Sequence, residues 1–344
     1  SEEFKEFYRN NFPRTEMNES NTIIAFDTNS LLNVFRFTPE ASKTFLKAIE
    51  YSKNYLYVPY LVALEFHFHK KETFEINNKK VQSAKEAIEK RWKRLGDEFS
   101  SDIFKDFSFR NGNDASKEME KKLSSLIWDT INQEEGKIKN EALNLINEVK
   151  TNQENLYNNL ISVIEERTGS KYKQEFINQV QKEGKERYVN NIPPGYDDQN
   201  KKGYREYNSV KYELKYGDLI IWKDLISVAK DNDKIQHVIL VTSDGKSKTK
   251  NDLLYKVGEE IIGPRIELLH EMRENGQAEF YIIDELEFIK QFSQEKQVSS
   301  QVFKSITDTL ANLSKSISPL PTNDIAKSLV KVTSGLGNNF SPVN

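Results

Sequence analysis

Three short apolar runs, each ended abruptly by polar residues, are the clearest pattern in this chain. They cover residues 22–26, 237–242 and 280–283. Apolar runs of this length, bounded by turn-forming residues, are typical of buried strands in a parallel sheet. A fourth run, at 55–58, also predicts a strand, which Pro59 ends.

Amphipathic segments with recognisable starts alternate with these runs and predict helices. Thr38 and Pro39 form one such start, because they provide an N-cap residue followed by Pro at the first helical position. The predicted helices cover 39–51, a segment that begins after Pro59, a segment that begins at Gly217, 265–274 and 285–292. Strands that alternate with helices predict an α/β fold with a parallel sheet.

Two long segments differ from this α/β pattern. Residues 75–190 are rich in Lys, Glu, Asn and Gln, with apolar positions at helical spacing, and predict a large helical insertion. This insertion is either a lobe for partners or substrate, or a solvated structural spacer. The tail, 294–344, carries an amphipathic stripe that predicts a partly helical segment. We therefore expect a discontinuous α/β domain of residues 1–74 and 191–293, a helical insertion of 75–190 and a C-terminal tail of 294–344.

Composition narrows the class of protein. The net charge of the 344 residues is only -3, so any affinity for nucleic acid must come from local patches. The absence of cysteine excludes disulfides, thiolate metal sites and cysteine catalysis, and suits a reducing cytoplasm. No apolar run approaches the roughly 18 residues that span a bilayer, and the polar start does not resemble a signal peptide. We expect a cytoplasmic protein without a membrane partner.

Four carboxylates occupy positions where open α/β sheets place functional groups. Asp27 and Asp244 each follow a buried strand, and Glu65 and Asp218 lie near helix starts. Strand ends and helix starts share one edge of a parallel sheet, so the four could converge. Taken singly, each could be a cap, a turn residue or a surface carboxylate. Taken together they predict a site for Mg²⁺ or Mn²⁺, since converging anions need a cation that prefers oxygen ligands.

A basic and aromatic segment lies directly before Asp218. Basic residues bind phosphates, and tyrosines stack on unpaired bases. The candidate nucleic-acid-binding residues are Lys201, Lys202, Tyr204, Arg205, Tyr207, Lys211, Tyr212 and Lys215. The alternative is that these residues only solubilise and pack the chain. A second basic cluster, within 79–94, has the same two interpretations.

Other motifs for phosphate or metal chemistry are incomplete. Leu240 stands where the P-loop pattern requires its first glycine, and Asn29 stands where an Asp-x-Asp phosphohydrolase requires its second acid. His67 and His69 are two residues apart and face different directions on a helix, so a zinc site is not expected.

Six short segments, in this order, resemble the PIN-domain nuclease superfamily, and specifically a bacterial PIN-like subgroup with a long helical insertion. The segments are 26–36, 58–66, 192–196, 216–222, 241–244 and 263–268. The resemblance implies a three-layer α/β/α sandwich with a central parallel sheet and a divalent-metal site. It also implies that Asp27, Glu65, Asp218 and Asp244 correspond to the acidic quartet of the family.

The resemblance implies supporting residues as well. Asn29 and Ser243 would orient the acids or a bound water, and Arg265 and Glu267 resemble a subgroup motif. The residues after Asp244 are Gly, Lys, Ser and Lys, where further acidic and tryptophan residues are expected in this subgroup.

We therefore expect a divalent-metal-dependent endonuclease that hydrolyses single-stranded RNA by metal-activated water. In this hypothesis Asp27, Glu65, Asp218 and Asp244 are both the catalytic residues and the metal ligands. A DNA-cleaving effector of phage defence or of a toxin system is one alternative. An inactive PIN-like module that binds nucleic acid or protein is another, although a scaffold has no need of four clustered carboxylates. A protein partner could bind the insertion or the tail, and the oligomeric state stays open.

Overall fold

The computed structural model describes residues 6, 12–106, 114–246, 250–258, 260–294 and 298–315. The strands are β1 (Thr22–Phe26), β2 (Tyr204–Tyr207), β3 (Val210–Glu213), β4 (His237–Val241), β5 (Leu254–Val257), β6 (Glu260–Pro264) and β7 (Glu279–Ile283). The helices are α1 (Thr28–Leu32), α2 (Pro39–Tyr51), α3 (Tyr60–Asp106), α4 (Asp114–Arg167), α5 (Gln174–Val189), α6 (Gly217–Asp231), α7 (Ile266–Glu271), α8 (Glu285–Phe292) and α9 (Ser300–Lys315).

The chain divides into two compact units. The first lies within residues 1–71 and 155–318, and the second contains 72–154. The helix α5 falls inside the predicted insertion of 75–190, yet it packs on β3 and α6 in the first unit. The predicted domain boundaries therefore remain a prediction.

A parallel sheet of three strands lies at the centre of the first unit. Its order is β1-β4-β7, with Ile24 beside Ile239 and Ile239 beside Tyr281. Every residue of β1 and β4 is buried, because helices cover both faces of a sheet of this kind. The predicted α/β fold with a central parallel sheet is confirmed.

Aromatic contacts identify the helical layer on each face of the sheet. Phe26 of β1 packs against Phe45 of α2 and Phe288 of α8, with ring centroids 6.0 and 4.9 Å away. Phe280 of β7 points to the opposite face, where its ring centroid lies 4.8 Å from that of Trp222 in α6. The layers are thus α/β/α.

The large helical insertion is also confirmed. The helices α3 and α4 are 47 and 54 residues long. Within the second unit, Glu89 of α3 and Lys139 of α4 interact electrostatically, so the two helices lie side by side there. No helix in the described ranges is both long and apolar enough to cross a bilayer.

The predicted strand at 55–58 is wrong. Leu56 makes one isolated bridge to Ile24, and Val58 makes another to Thr168. Pro59 lacks an N–H and α3 begins at Tyr60, so the segment is too short to build a ladder with one partner. Two antiparallel pairs, β2–β3 and β5–β6, form in segments for which no strand was predicted.

The starts of the predicted helices agree with the structure to within one residue. The helix predicted at 265–274 is α7 followed by a π-helical turn, Met272–Gly276. In the tail, Val302 and Ile306 of the apolar stripe are buried on α9. The rest of the tail, from residue 316 onward, lies outside the described residues.

Candidate functional site

A cavity of about 340 Å³ opens at the carboxyl edge of the sheet. The four predicted acids all line it, although they come from separate segments of the chain: Asp27, Glu65, Asp218 and Asp244. Asn29 lines the same cavity and is exposed to solvent. The fold therefore gathers these five side chains around one space.

Asp27 lies at the junction between β1 and α1, where it is the N-cap residue of the helix. Its Oδ1 accepts a hydrogen bond of 2.7 Å from the backbone N–H of Ser30, and its Oδ2 accepts one from the hydroxyl of Thr242. Burial and the charge of Asp244 raise the pKa of Asp27 above its usual range, although the two hydrogen bonds act in the opposite direction. The carboxylate is fixed in orientation, and the guanidinium of Arg36, which interacts electrostatically with Asp27, Asp244 and Glu285, compensates the negative charge only in part.

Glu65 lies in the second turn of α3 and is held at both oxygens. Oε2 accepts from the hydroxyl of Thr28 at 3.2 Å, and Oε1 accepts from the hydroxyl of Tyr212 at 3.3 Å. Burial and the charge of Glu65 raise the pKa of Tyr212, which keeps its hydroxyl protonated as a donor. A Cβ at Gly217 would lie 3.5 Å from Oε1, so the start of α6 also comes close to this acid.

Lys250 interacts electrostatically with both Asp218 and Asp244. Asp218 is the second residue of α6 and is exposed to the solvent of the cavity, while the surrounding protein raises its pKa. Lys250 opposes that shift, and its Nζ lies 4.0 Å from Oδ2 of Asp244. Burial alone would lower the pKa of Lys250, but Asp244 and Asp218 raise it, so this lysine stays charged.

The donor set of the cavity fits a hydrated divalent cation. Five carboxylates line it, the fifth being Asp198, against two lysines, Lys201 and Lys250. Among the residues that the structure describes, no three His, Asp or Glu side chains stand close enough to hold one ion between them. Mg²⁺ usually keeps several waters and binds through one or two carboxylates, so the fit requires no closer cluster. Asp244 interacts electrostatically with both Asp27 and Asp218, which makes it the centre of the negative charge.

The other predicted supporting residues make contacts outside the quartet. Ser243 donates its hydroxyl hydrogen bond to Glu285. Arg265 and Glu267 pair with each other at 3.1 Å, and Arg265 also donates to the carbonyl of Asn251 at 2.9 Å. Arg265 thus holds the backbone of Asn251, the residue after Lys250. An influence of Arg265 on the cavity would therefore act indirectly, through the position of Lys250.

Glu285 is a buried acid that the sequence prediction missed. Its side chain accepts from the hydroxyl of Ser30 at 2.7 Å, from the amide of Asn33 at 2.8 Å and from the hydroxyl of Ser243. Its charge acts on Asp27 and contributes to the raised pKa of that residue. Glu285 is the first residue of α8 and lies two residues after the end of β7, so the search for acids behind buried strands that selected Asp27 and Asp244 could have found it.

The candidate nucleic-acid-binding residues lie in different environments. Tyr212 is buried against Glu65, and Lys215 pairs with Glu213 at 2.9 Å. Lys201 lines the acidic cavity and pairs with Asp198 at 3.5 Å. The remaining five residues, which the structure leaves partly or fully exposed, are Lys202, Tyr204, Arg205, Tyr207 and Lys211. Four of these belong to the β2–β3 hairpin.

Comparison with known proteins supports the resemblance seen in the sequence. A family model described as a PIN like domain matches residues 23–268. The matched range includes all four acids of the cavity. No curated protein and no solved structure gives a significant match.

Proposed function

Since the matched range covers more than half of the chain, the chain belongs to the PIN-like domain family, a family of nucleases, and we propose that it is a divalent-metal-dependent endonuclease acting on single-stranded RNA. The observation that carries the proposal is the meeting of four acids, from four separate segments, around one cavity at the carboxyl edge of the sheet. Ligands of open α/β sheets bind at this edge.

The metal would be held within the quartet of Asp27, Glu65, Asp218 and Asp244, by one or two carboxylates directly and by the others through its bound waters. When bound there, Mg²⁺ or Mn²⁺ would lower the pKa of a water molecule and stabilise charge on the phosphate in the transition state. Without such a cation, the excess of carboxylates in the cavity would repel an anionic substrate.

Three groups of residues would act at this site: the donors that orient the acids, a lysine that binds the substrate and an asparagine that positions a water or a phosphate. Hydrogen bonds from Ser30 and Thr242 hold the carboxylate of Asp27, and those from Thr28 and Tyr212 hold Glu65. These donors carry no charge, so they orient the acids without neutralising them. The ammonium of Lys250 would pair with a phosphate oxygen of the substrate, and the exposed amide of Asn29 would position a water or a phosphate.

The test is cleavage by the purified full chain. Labelled single-stranded RNA, and DNA of the same sequence, are incubated with Mg²⁺ or Mn²⁺ and with the variants Asp27→Asn and Asp244→Asn. We expect metal-dependent cleavage of RNA by the wild type. The loss in each variant should exceed the roughly 10- to 100-fold that is typical of residues that only support a metal ligand.

Asp233→Asn is the matched control, because Asp233 is exposed in the loop before β4, at the opposite edge of the sheet. It should cleave like the wild type. No metal-dependent cleavage by the wild type, or equal cleavage by the two site variants, would refute the proposal. Better cleavage of the DNA would reassign the substrate.

A further inference from the structure

The start of α3 lines two different spaces. Glu65 and His69 are four residues apart, so they share one face of the helix and line the acidic cavity. A neighbouring face lines a separate groove of about 660 Å³. Phe68 of α3, Glu165 of α4, Tyr207 of β2 and Asn208 are among the residues that line this groove.

Two half-exposed aromatic rings form the mouth of the groove. Phe68 of α3 is 43% exposed and Tyr207 of β2 is 51% exposed. Their rings meet edge to face, with centroids 6.2 Å apart and planes at 86°. Large aromatic surface left open to water is typical of a binding site, and flat rings of this kind stack on nucleobases.

Arg205 connects this groove to the acidic cavity. Its guanidinium carbon lies 4.4 Å from the ring centroid of Phe68. Across the hairpin, Arg205 is paired in register with Tyr212 and hydrogen-bonds its hydroxyl, which in turn donates to Glu65. A continuous series of contacts therefore runs from Phe68 to an acid of the site. An arginine at this position can hold a phosphate between the two spaces.

A second cation lies at the rim. Lys171 donates to the backbone carbonyl of Asn208 at 2.8 Å. Glu165 is the acid that lines the groove. Arg205 contacts Phe68 and Lys171 contacts Asn208, so two cations lie beside the lining of the groove against one acid. This balance of charge suits a ligand that combines a phosphate with an uncharged ring.

The hairpin that carries Tyr207 and Arg205 is firmly anchored. The side-chain amide of Gln174 exchanges two hydrogen bonds of 2.8 Å with the backbone of Lys211. The two-residue turn, Asn208 and Ser209, has φ values of 50° and 63°, as in the tight turns that match the twist of paired strands. The groove is thus formed before a ligand binds, which lowers the entropic cost of binding.

We propose that this groove binds one unpaired nucleobase of the substrate strand, stacked on the ring of Phe68, with the perpendicular ring of Tyr207 against the edge of the base. Arg205 holds the adjoining phosphate, and the strand continues into the acidic cavity. The inference rests on the proposed nuclease function, and it names a subsite outside the acidic residues. Because a base in a duplex has both faces covered by its neighbours, the groove selects single strands over duplexes.

The test is binding of fluorescein-labelled oligonucleotides, measured by fluorescence anisotropy with Ca²⁺ in place of Mg²⁺, so that a cation with the same preference for oxygen ligands is present. Gel electrophoresis of each sample checks that the oligonucleotide stays intact. Single-stranded RNA, single-stranded DNA and a duplex of the same sequence are compared. We expect Phe68→Ala to raise the dissociation constant for a single strand about 5- to 150-fold, the effect of losing one base–aromatic stack. Phe68→Trp should bind within about 3-fold of the wild type, because it keeps a flat ring for stacking.

Tyr255→Ala is the matched control. Tyr255 is 46% exposed on the β5–β6 hairpin, away from the groove, and its loss should leave binding unchanged. Thermal unfolding of each variant checks that the fold is intact. Tighter binding of the RNA or of the DNA strand shows which sugar the protein prefers. Either preference supports the proposed base-binding groove, provided that Phe68→Ala weakens binding of the preferred strand.

Three outcomes would overturn the subsite. These are wild-type affinity in Phe68→Ala, equal affinity of the wild type for duplex and single strand, and a loss confined to Tyr204→Ala, on the opposite face of the hairpin. If only the nuclease proposal is wrong, the two experiments give a different result: cleavage is absent, but binding still depends on Phe68. Normal cleavage with no effect of Phe68→Ala on binding would refute only the subsite.

Discussion

At the scale of single residues, the key acids are held by hydroxyl and amide donors. Thr242 donates to Asp27, Tyr212 donates to Glu65, and Ser243 donates to Glu285. A hydroxyl fixes the orientation of a carboxylate while leaving its charge in place. This is the arrangement that a cation site requires, because neutralised carboxylates would bind a metal ion weakly.

The contact between Ser243 and Glu285 leads to a prediction about coupling. If Ser243 acts through Glu285, the effects of Ser243→Ala and Glu285→Gln will overlap, since the first removes the donor and the second weakens the acceptor of the same partly buried hydrogen bond. The free energies of unfolding should then be non-additive by about 0.5–3 kcal/mol, the range for residues in direct contact. Urea unfolding of the wild type, both single variants and the double variant measures the interaction energy between the two side chains.

The control for this cycle combines Ser243→Ala with Asp233→Asn, which lies at the far edge of the sheet and should add independently. Cleavage by the same four proteins gives a second readout. Additive effects of Ser243→Ala and Glu285→Gln on both stability and cleavage would mean that Ser243 acts on the quartet directly, as the sequence resemblance implied.

At the scale of elements, one partly buried acid joins three helices. Glu271 of α7 accepts two hydrogen bonds of 2.8 Å from Arg187 of α5, and one each from Trp222 and Lys223 of α6. Arg187 also donates to the carbonyl of Pro193, the residue before Pro194 in the wall of the acidic cavity. This cluster therefore fixes the helices of one layer and a wall of the site together.

The same cluster predicts a dependence of stability on pH. Burial alone would raise the pKa of Glu271, but the hydrogen bonds from Arg187 and Lys223 lower it to about 2. A carboxyl whose pKa is depressed in the folded state adds stability above its unfolded value, and loses it as the pH falls toward the folded value. The contribution of Glu271 is therefore present at pH 7 and disappears between about pH 4.5 and 2.

We expect Glu271→Gln to lower the free energy of unfolding at pH 7 by about 3 kcal/mol, because it leaves the buried Arg187 with only the more exposed Glu183 as a charged partner. The acid-induced loss of stability should also be smaller than in the wild type. Trp222 can report on the first unit alone once Trp92 and Trp128, which lie in the second unit, are replaced by Phe. In that background, urea unfolding is followed by fluorescence from pH 3 to 7.

Glu274→Gln serves as the control, because the side chain of Glu274 is 57% exposed and its loss should change stability little. If Glu271→Gln and Glu274→Gln gave the same stability and the same pH profile, the cluster would have no stabilising role.

The elements that the sequence predicted correctly are those with a strong local signal. The strands β1, β4 and β7 are continuous apolar runs, and the start of α2 has its Thr38-Pro39 cap. The β2–β3 hairpin was missed because β2 is polar and mostly exposed, and each strand has only four residues. The apolar face of β3 consists of Val210 and Tyr212 alone, which are buried. The turn of the hairpin also lacks glycine, the usual sign of two residues with positive φ.

The same reasoning explains which site residues could be predicted. Asp27 and Asp244 follow apolar strands, so their position at the sheet edge was visible in the sequence. The pairing of Tyr212 with Glu65 joins residues 147 positions apart, and no local pattern encodes it. Phe68 and Tyr207 likewise meet only through the tertiary fold.

At the scale of the whole molecule, the four acids belong to one unit, although the second unit separates Glu65 from Asp218 along the chain. Folding therefore creates the site, and an ion that binds it will stabilise the folded state over the unfolded chain. The gain in free energy of unfolding follows from the ratio of ion concentration to dissociation constant, and reaches about 2.7 kcal/mol when the ion is at 100 times its dissociation constant.

Mn²⁺ should accordingly raise the midpoint of thermal unfolding by about 2–4 °C for each kcal/mol gained. The measurement follows Trp222 in the chain that lacks the other two tryptophans, with NaCl of equal ionic strength as the reference. The double variant Asp27→Asn/Asp244→Asn should lose this shift and Asp233→Asn should keep it, whereas an equal shift in all three proteins would mean that Mn²⁺ binds outside the acidic cavity.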